Sequence, residues 1–358
     1  MLYYPAMMIR TLFAAVALLT SSLSAAAQTS PHKWSIVVHG GAGVIERESM
    51  PPKTEAAYRA AMKTAIQTGA AVLDKGGSSL DAVQATIQYL EDNPLFNAGK
   101  GAVFTADGRN ELDSAIMDGA TLKAGAVAQI THTRHPIAAA RAVMEHSPAV
   151  MLAGPGADAF AKSQGLEQVP NSYFFTEQRW QGLVRELKKD GKPVPQRPAG
   201  APAAPTKPVA MIEPPNAHKW GTVGVVALDE AGNIAAGTST GGLQAKLPGR
   251  IGDSPIIGAG TYASNHSCAV SGTGTGEYFI RLTVAREICA LVEDKHMSLQ
   301  AAADEVIHKQ LEGLHGDGGI IAIAPDGEAA WSFNTPGMYR ARMSQGSELT
   351  IAIYNNEP

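Results

Sequence analysis

Between residues 192 and 215 the chain loses the periodicity it shows elsewhere. Eight of its 22 prolines fall in that window, among Ala, Gly and Lys, so the segment suits neither a helix interior nor a central strand. It can bury too little apolar surface to offset the entropy of ordering it, which predicts a disordered linker. A linker of this length inside one domain is unusual unless it has a purpose. It gives way to Lys219-Trp220-Gly221-Thr222 and then to the apolar run Val223-Gly224-Val225-Val226-Ala227-Leu228, the pattern of a strand covered on both faces. Such a chain can be opened in its middle, just ahead of a core strand, without tearing the core.

The Gly221-Thr222 peptide bond is the place where opening has chemical meaning. If it is cut, Thr222 begins a new chain and carries both a hydroxyl and a free α-amino group. That amine, with a reference pKa of about 7.7 to 8.0, can take the proton of the hydroxyl without a second side chain. The branched Cβ of Thr restricts χ1 and holds the hydroxyl in few orientations. Gly221, lacking a Cβ, can adopt strained geometry that exposes its carbonyl to attack. Taken alone, a Gly-Thr pair also fits the start of an ordinary strand, so the rest of the chain has to decide.

At 358 residues, 45% hydrophobic and 17% charged, the composition is that of a globular protein with a large core. A net charge of −4, a pI near 6.2 and no Lys/Arg-rich block give no electrostatic reason to expect nucleic acid. His132 and His135 lack an acidic or Cys partner nearby in sequence, and Pro136 follows them, so they read as a loop rather than a metal set. Residues 1–27 read as a signal peptide, with Met7 or Met8 as a better start. Arg10 precedes the apolar run of residues 11–19, and Ser24-Ala25-Ala26-Ala27 offers a small-residue cleavage site. That run is too short to span a bilayer comfortably. Removal of the signal leaves an exported protein without a membrane segment, periplasmic if the source is bacterial. Cys268 and Cys289 are the only cysteines. Cys289 falls in a helical apolar pattern, which favours two buried thiols over one disulfide.

The periodicity predicts a strand at 34–39, ending in a Gly40-Gly41-Ala42-Gly43 loop, and helices at 54–73 and 79–91. Ser79 and Asp81 would cap the second helix. Pro94 breaks it, and the turn leads to a strand at 102–104. Strands at 111–117 and 125–130, a helix at 136–145, a short strand at 150–152 and a helix at 176–189 complete the first part. Beyond Thr222 a hairpin joins 223–228 to 234–237 across Asp229-Glu230-Ala231-Gly232-Asn233. Helices at 278–292 and 298–310 and strands at 319–323, 329–332 and 349–354 follow. Strands bracketing helices in both halves imply sheets packed on each other with helices outside.

Three constellations in the second half read as parts of one site. Arg250 offers a planar fork of donors for a carboxylate and Asp253 an acceptor for an ammonium, which together fit the head group of a free amino acid. The rival reading is a surface ion pair in a Gly/Pro loop. Gly272-Thr273-Gly274-Thr275-Gly276 supplies hydroxyls and unhindered N–H groups before a helix, the ingredients of an oxyanion hole. The spacing is not that of a dinucleotide loop. Thr240, on the hairpin partner of the Thr222 strand, can hydrogen-bond the nucleophile.

Gly221-Thr222-Val223-Gly224, Thr238-Ser239-Thr240-Gly241-Gly242, Pro248-Gly249-Arg250-Ile251-Gly252-Asp253-Ser254-Pro255 and Thr273-Gly274-Thr275-Gly276-Glu277 together resemble the isoaspartyl peptidase/L-asparaginase family. These are the plant-type, type III asparaginases among the N-terminal-nucleophile hydrolases. The resemblance extends to His39-Gly40-Gly41-Ala42-Gly43 and Pro94-Leu95-Phe96-Asn97-Ala98-Gly99, and so to the whole mature chain apart from the linker. It implies an α+β fold, a four-layer αββα sandwich. One folded domain would be cut by self-cleavage into an α chain of residues 28–221 and a β chain of residues 222–358, with two such αβ units forming a dimer. By the same resemblance Thr222 is the nucleophile and Thr240 its neighbour, while Thr273 and Gly274 form the oxyanion hole. Arg250 and Asp253 clamp the substrate, with Ile251, Gly252, Thr275 and Gly276 in the same substrate loops. No cofactor is expected for catalysis. A structural sodium ion is implied on main-chain oxygens of Leu90, Glu91, Asn93, Phe96, Ala98 and Lys100, a ligand type that requires no particular side chains.

The expected substrates are L-asparagine and isoaspartyl dipeptides, small molecules that present one head group to the clamp. A glycosylasparaginase is the nearest alternative, but those enzymes usually carry an acidic residue where this chain has Gly221. A non-catalytic amino-acid-binding protein is the alternative of a different class, and it predicts an uncut polypeptide.

Overall fold

The computed structural model describes residues 33–205 and 221–357; the expected signal peptide and residues 206–220 lie outside the described residues. Up to the linker the elements are β1 (Ser35–Gly43), α1 (Pro52–Leu73), α2 (Ser79–Asp92), β2 (Leu112–Asp118), β3 (Ala124–Ile130), α3 (Pro136–His146), β4 (Met151–Ala153), α4 (Gly154–Ser163) and α5 (Glu177–Lys189). After it come β5 (Val223–Leu228), β6 (Ile234–Thr240), β7 (Thr261–Ala263), β8 (Ala269–Gly274), α6 (Gly276–Leu282), α7 (Val284–Lys295) and α8 (Leu299–Glu305). The chain closes with β9 (Gly318–Ile323), β10 (Ala329–Phe333), β11 (Gly337–Ser344) and β12 (Thr350–Tyr354).

Eight strands form one sheet in the order β12-β11-β1-β5-β6-β2-β3-β4, and four form a second in the order β10-β9-β8-β7. The first sheet interleaves strands from both sides of Gly221. Its two faces are set by the two-residue period of β structure. Ile36, Val38, Val225 and Ala227 pack with Met62 and Ile66 of α1 and Val83 and Ile87 of α2. Val37, Val226, Leu228, Ile234 and Ala236 face the other way, against Ala263, Ala269, Ile321 and Ile323 of the small sheet. The outer face of that sheet, with Val270, Ile320 and Ala322, is covered by Ile288 and Cys289 of α7 and Ala302 and Ala303 of α8. The layers are therefore helices, sheet, sheet and helices, the αββα sandwich expected.

The structure revises several local expectations. β1 continues through the glycine-rich segment because β11 still pairs with it at Ala42 and Gly43, after a shift in register between His39 and Ala42, although its pairing with β5 ends at His39. Residues 102–104 form no strand; an isolated bridge joins Thr105 to Lys246. The expected helix at 278–292 is broken at Thr283, which takes a left-handed conformation (φ 50°) between α6 and α7. Two partners cap α2, neither by the predicted arrangement. Ser78 accepts from Asp81 N, and the Asp229 carboxylate accepts from Ser79 N at 2.9 Å. That second carboxylate also organises the β5–β6 turn by accepting from Ala231 and Asn233. β7, β8, β11 and α4 were not foreseen. Residues 192–205 have no helix or strand, yet Arg197 pairs with Glu177 and stacks on Phe175.

Cys268 and Cys289 are joined in a disulfide, contrary to the expectation of two thiols. The apolar pattern around Cys289 correctly marks a buried helix face, but that face lies on β8 beside Cys268, the residue that enters the strand, with a Cα–Cα distance of 5.3 Å within bridging range. The bond ties α7 to β8. Closing this 21-residue separation should stabilise the fold by about 3 kcal/mol. We expect no free thiol in denatured, unreduced protein, and a lower urea midpoint after reduction. Two titratable thiols would overturn the bridge.

Candidate active site

The side chain of Thr222 falls on the face between the sheets because it has the same parity as Val226 and Leu228. Thr238 and Thr240 share that face with Ile234 and Ala236, and Ser271 and Thr273 of β8 share the opposing face with Ala269. In the β5–β6 pairing Gly224 is opposite Thr238 and Val223 opposite Ser239, so one step further sets Thr222 beside Thr240. The Thr222 hydroxyl donates to Thr240 Oγ1 at 3.1 Å, and Thr240 Oγ1 donates to the Gly221 carbonyl at 3.1 Å. Thr240 also accepts from Gly242 N at 2.9 Å. The Thr222 hydroxyl, the Thr240 hydroxyl and the Gly221 carbonyl thus form one directed hydrogen-bond chain.

A second donor reaches the same carbonyl. Asn97 Nδ2 lies 2.7 Å from Gly221 O and 2.8 Å from Gly242 O, and Asn97 Oδ1 accepts from Val103 N at 2.9 Å. The amide is therefore fixed in orientation by three partners. Gly41 closes the site from β1: its φ is +109°, and a Cβ there would stand 3.0 Å from Gly221 Cα, so only glycine fits. Asn97 was not singled out from the sequence, where residues 94–99 read as turn chemistry. Its signal was the break in helical pattern at Pro94 followed by a buried-type Phe96-Asn97-Ala98 run.

Thr222, Thr240, Gly242, Arg250, Gly252, Asp253 and Gly274 line one cleft together with Gly221. Arg250 and Asp253, expected from sequence to form a clamp, thus stand in the same cleft as Thr222. Arg250 Nε and Nη2 each donate to the Glu277 carboxylate at 3.0 Å; the guanidinium in turn holds the Glu277 carboxyl below its usual range. Asp253 is buried, its Oδ2 has no hydrogen-bond partner among the described residues, and burial pushes its pKa up to about 7. A Cβ on Gly276 would lie 2.8 Å from Asp253 Oδ1 and 3.0 Å from Arg250 Nη2. Glycine there is what lets the two charges stand side by side. Thr273 is fully buried behind the cleft, where its hydroxyl accepts from Ala42 N at 3.3 Å. Thr275 bonds Asp317, and neither it nor Ile251 lines the cleft.

Behind these groups runs a buried line of hydroxyls between the sheets. His39 Nε2 meets Ser271 Oγ at 3.1 Å, Ser271 Oγ meets Thr238 Oγ1 at 2.7 Å, and Thr261 Oγ1 donates to Thr238 Oγ1 at 2.6 Å. Burial lowers the His39 pKa to about 3, so the ring stays neutral and can serve only as a hydrogen-bonding strut. Beneath the clamp loop, Lys246 Nζ donates to Glu111 O at 2.9 Å and stands 3.9 Å from the buried Asp113 carboxylate. This pair too was missed, since its members are far apart in sequence.

No cluster of His, Cys, Asp or Glu suited to a metal occurs among the described residues. The loop from Leu90 to Lys100 fits a cation bound by main chain instead. It doubles back through a Lys100 N to Glu91 O bond of 2.6 Å. Among the described residues no donor reaches the carbonyls of Phe96 and Ala98, although both residues are buried. Buried carbonyls left without donors are uncommon, and a hard cation satisfies them.

Residues 32–353 match the asparaginase family. The isoaspartyl peptidase of Escherichia coli is 48% identical over 322 residues, spanning 90% of this chain and 96% of the relative. A putative isoaspartyl peptidase/L-asparaginase of Dictyostelium discoideum is 44% identical, spanning 89% and 98%. A plant-type L-asparaginase of Pyrococcus furiosus is 40% identical, spanning 87% and 97%. With a match over nearly all of the described chain and relatives covered almost end to end, this protein belongs to the asparaginase family.

Proposed function

We propose that this chain is an exported precursor that cuts itself at Gly221-Thr222 and then hydrolyses β-aspartyl amide bonds, in isoaspartyl dipeptides and in L-asparagine. The observation that carries the reading is the Gly221 carbonyl, held by Asn97 Nδ2 and Thr240 Oγ1 while the Thr222 hydroxyl bonds Thr240. Donors placed on a carbonyl oxygen stabilise the charge that develops there during attack. In self-cleavage Thr222 Oγ1 attacks the Gly221 carbonyl carbon and its proton leaves through Thr240. Collapse breaks the C–N bond, the amine takes up the proton, and water hydrolyses the resulting ester.

The freed α-amine of Thr222 then acts as the base for its own hydroxyl. Arg250, oriented by Glu277, takes the substrate α-carboxylate, and Asp253 takes the α-ammonium. Thr222 Oγ1 attacks the β-carbonyl, Thr273 and Gly274 receive the oxyanion, and the protonated amine supplies the proton to the departing nitrogen. A water molecule, deprotonated by the same amine, releases aspartate. A sodium ion in the 90–100 loop would fix the backbone on which Asn97 sits without entering the chemistry. Two αβ units associate as a dimer. The relatives' names, isoaspartyl peptidase and plant-type L-asparaginase, support the substrate class. Export is supported by the charge and apolar pattern of residues 1–27 and by the disulfide, a bond that persists in oxidising compartments. No helix among the described residues is long and apolar enough to cross a membrane.

Thr222→Ala should remain one polypeptide on a denaturing gel, whereas wild type yields two, the second beginning at Thr222 by mass. Asn97→Ala should slow maturation by about 10² to 10³, the usual cost of losing one oxyanion donor. Cleavage of Thr222→Ala at the same bond would remove the mechanism.

The clamp makes a separate prediction about pH. Asp253 must be ionised to bind an ammonium, but in the free site it holds its proton up to about pH 7. The profile of kcat/KM, which reports free enzyme, should therefore fall on the acid side with two ionisations, Asp253 and the Thr222 amine. The profile of kcat should show only the amine, because bound ammonium keeps Asp253 charged. For stability, raising pH from about 4 to about 7 weakens the fold, because in that window Asp253 has released its proton in the unfolded chain while the buried carboxyl still holds one; below about 4 that penalty is absent. Identical single ionisations in both kinetic profiles would exclude this role for Asp253.

A further inference from the structure

Gly221 separates two cavities. On one side is the clamp cleft; on the other is a second cavity walled by Tyr58, Phe96, Tyr339 and Arg179, with Asn97 at its edge. Gly221 is the one described residue that lines both. In the uncleaved chain neither has open room for more than about one water molecule. Cleavage changes this, because the Gly221 carbonyl carbon must withdraw from bonding to van der Waals distance of Thr222, and the partition between the two spaces moves with it.

The second cavity contains an uncompensated charge. Arg179, on α5, is 4% exposed. Its Nε donates to Gly101 O at 2.7 Å and its Nη2 to Leu95 O at 3.2 Å. Its Nη1 has no partner, and no carboxylate pairs with it, among the described residues. Burial lowers its pKa to about 10, the sign of a cation short of counter-charge. Buried guanidinium groups are ordinarily paired, so a site for an anion stands open here. Beside it the Tyr58 and Tyr339 rings stack at 4.1 Å, and Phe96 meets Tyr58 edge-on at 5.7 Å, an apolar wall next to the charge.

We propose that this cavity is the leaving-group subsite: it receives the amino acid expelled from an isoaspartyl dipeptide, with the Arg179 guanidinium on its α-carboxylate and the aromatic wall against its side chain. The inference rests on the β-aspartyl hydrolysis proposed above. It follows from placement: the aspartyl head group occupies the clamp cleft, the scissile carbon lies at Thr222, and the departing nitrogen must point across the former position of Gly221. Asparagine, whose leaving group is ammonia, makes no use of the subsite. Apolar residues carrying a free carboxylate make full use of it.

The test compares β-aspartyl-leucine with β-aspartyl-leucinamide on matured enzyme, substrates of nearly equal size that differ in that carboxylate. We expect the amide to lose at least tenfold in kcat/KM, mostly through KM. In Arg179→Gln the ratio between the two peptides should collapse to within twofold. Being taken within one protein, that ratio is unmoved by a general loss of active enzyme. Should the variant fail to mature, product inhibition of asparagine hydrolysis in wild type serves instead, with leucine expected to inhibit more strongly than leucinamide. Equal handling of acid and amide by wild type, in either assay, would overturn the subsite; it would assign the Arg179 charge to the new carboxylate of Gly221. Discrimination that persists in Arg179→Gln would overturn it as well. A wild type that hydrolyses neither peptide nor asparagine tells against the proposed function itself, a result distinct from equal rates.

Discussion

Everything about this site depends on a hydroxyl and a carbonyl from adjacent residues being held within one hydrogen-bond relay. Thr222 Oγ1, Thr240 Oγ1 and Gly221 O make that relay, and it exists only because β5 and β6 pair in a register that puts residues 222 and 240 side by side. A slip of one residue would turn both side chains towards α2 and replace them with Val223 and Ser239. The register is secured by what lies further along the same strands. Val226, Leu228, Ile234 and Ala236 must face the small sheet, while the Ser239 hydroxyl is tied on the other face to Glu91 at 2.7 Å. Core packing and active-site geometry are therefore set by a single periodicity.

That periodicity explains why so much was legible in the sequence. The apolar run at 223–228, the Asp229 turn and the two-residue alternation gave the hairpin and placed Thr240 beside Thr222. The helices at α1, α2, α3 and α5 followed from their apolar stripes, and the αββα layering from strands bracketing helices in both halves. What escaped are features that depend on contacts between distant segments. Asn97 acts on Gly221 across 124 positions of chain, and Lys246 approaches Asp113 to 3.9 Å from a distant segment. The Cys268–Cys289 bridge needs the docking of α7 on β8. β8 itself was hidden because its Ser271-Gly272-Thr273-Gly274 reads as loop composition, although it pairs with β9 along its whole length. Thr283 interrupts a strong helical pattern with a left-handed residue, and tertiary packing outweighs local propensity there.

The buried charges around the site show how the fold divides its demands. Asp253, Asp113, Lys246 and Arg179 are all buried, and burial shifts every one of them towards its neutral form. Asp113 and Lys246 face each other at 3.9 Å, so each reduces the other's desolvation. This pair lies beneath the loop that carries Arg250. Asp253 and Arg179 are different: among the described residues neither stands in an ion pair of the kind that joins Lys246 to Asp113, and Asp253 Oδ2 accepts no hydrogen bond. A buried charge without a counter-charge costs stability in the empty site, and a ligand of opposite charge would supply the missing partner.

The neutral hydroxyls between the sheets complete the argument by what they leave out. His39, Ser271, Thr238 and Thr261 lie one pleat below Thr222, Thr273 and Thr240, and they link β1, β8, β6 and β7 by side-chain hydrogen bonds of 2.6 to 3.1 Å. The four strands that carry or back the reacting groups are thus fixed laterally by polar contacts whose partners are specific, where an apolar layer would permit sliding. Because the His39 pKa is depressed to about 3, this layer carries no charge at any pH at which the enzyme would work. On the proposed mechanism, proton traffic is then confined to the layer above it, to the Thr222 hydroxyl, its amine once freed, Thr240 and the titrating Asp253. A scaffold that cannot titrate beneath a site that must leaves the proposed base, the Thr222 amine, without a competing acceptor in the layer that backs it.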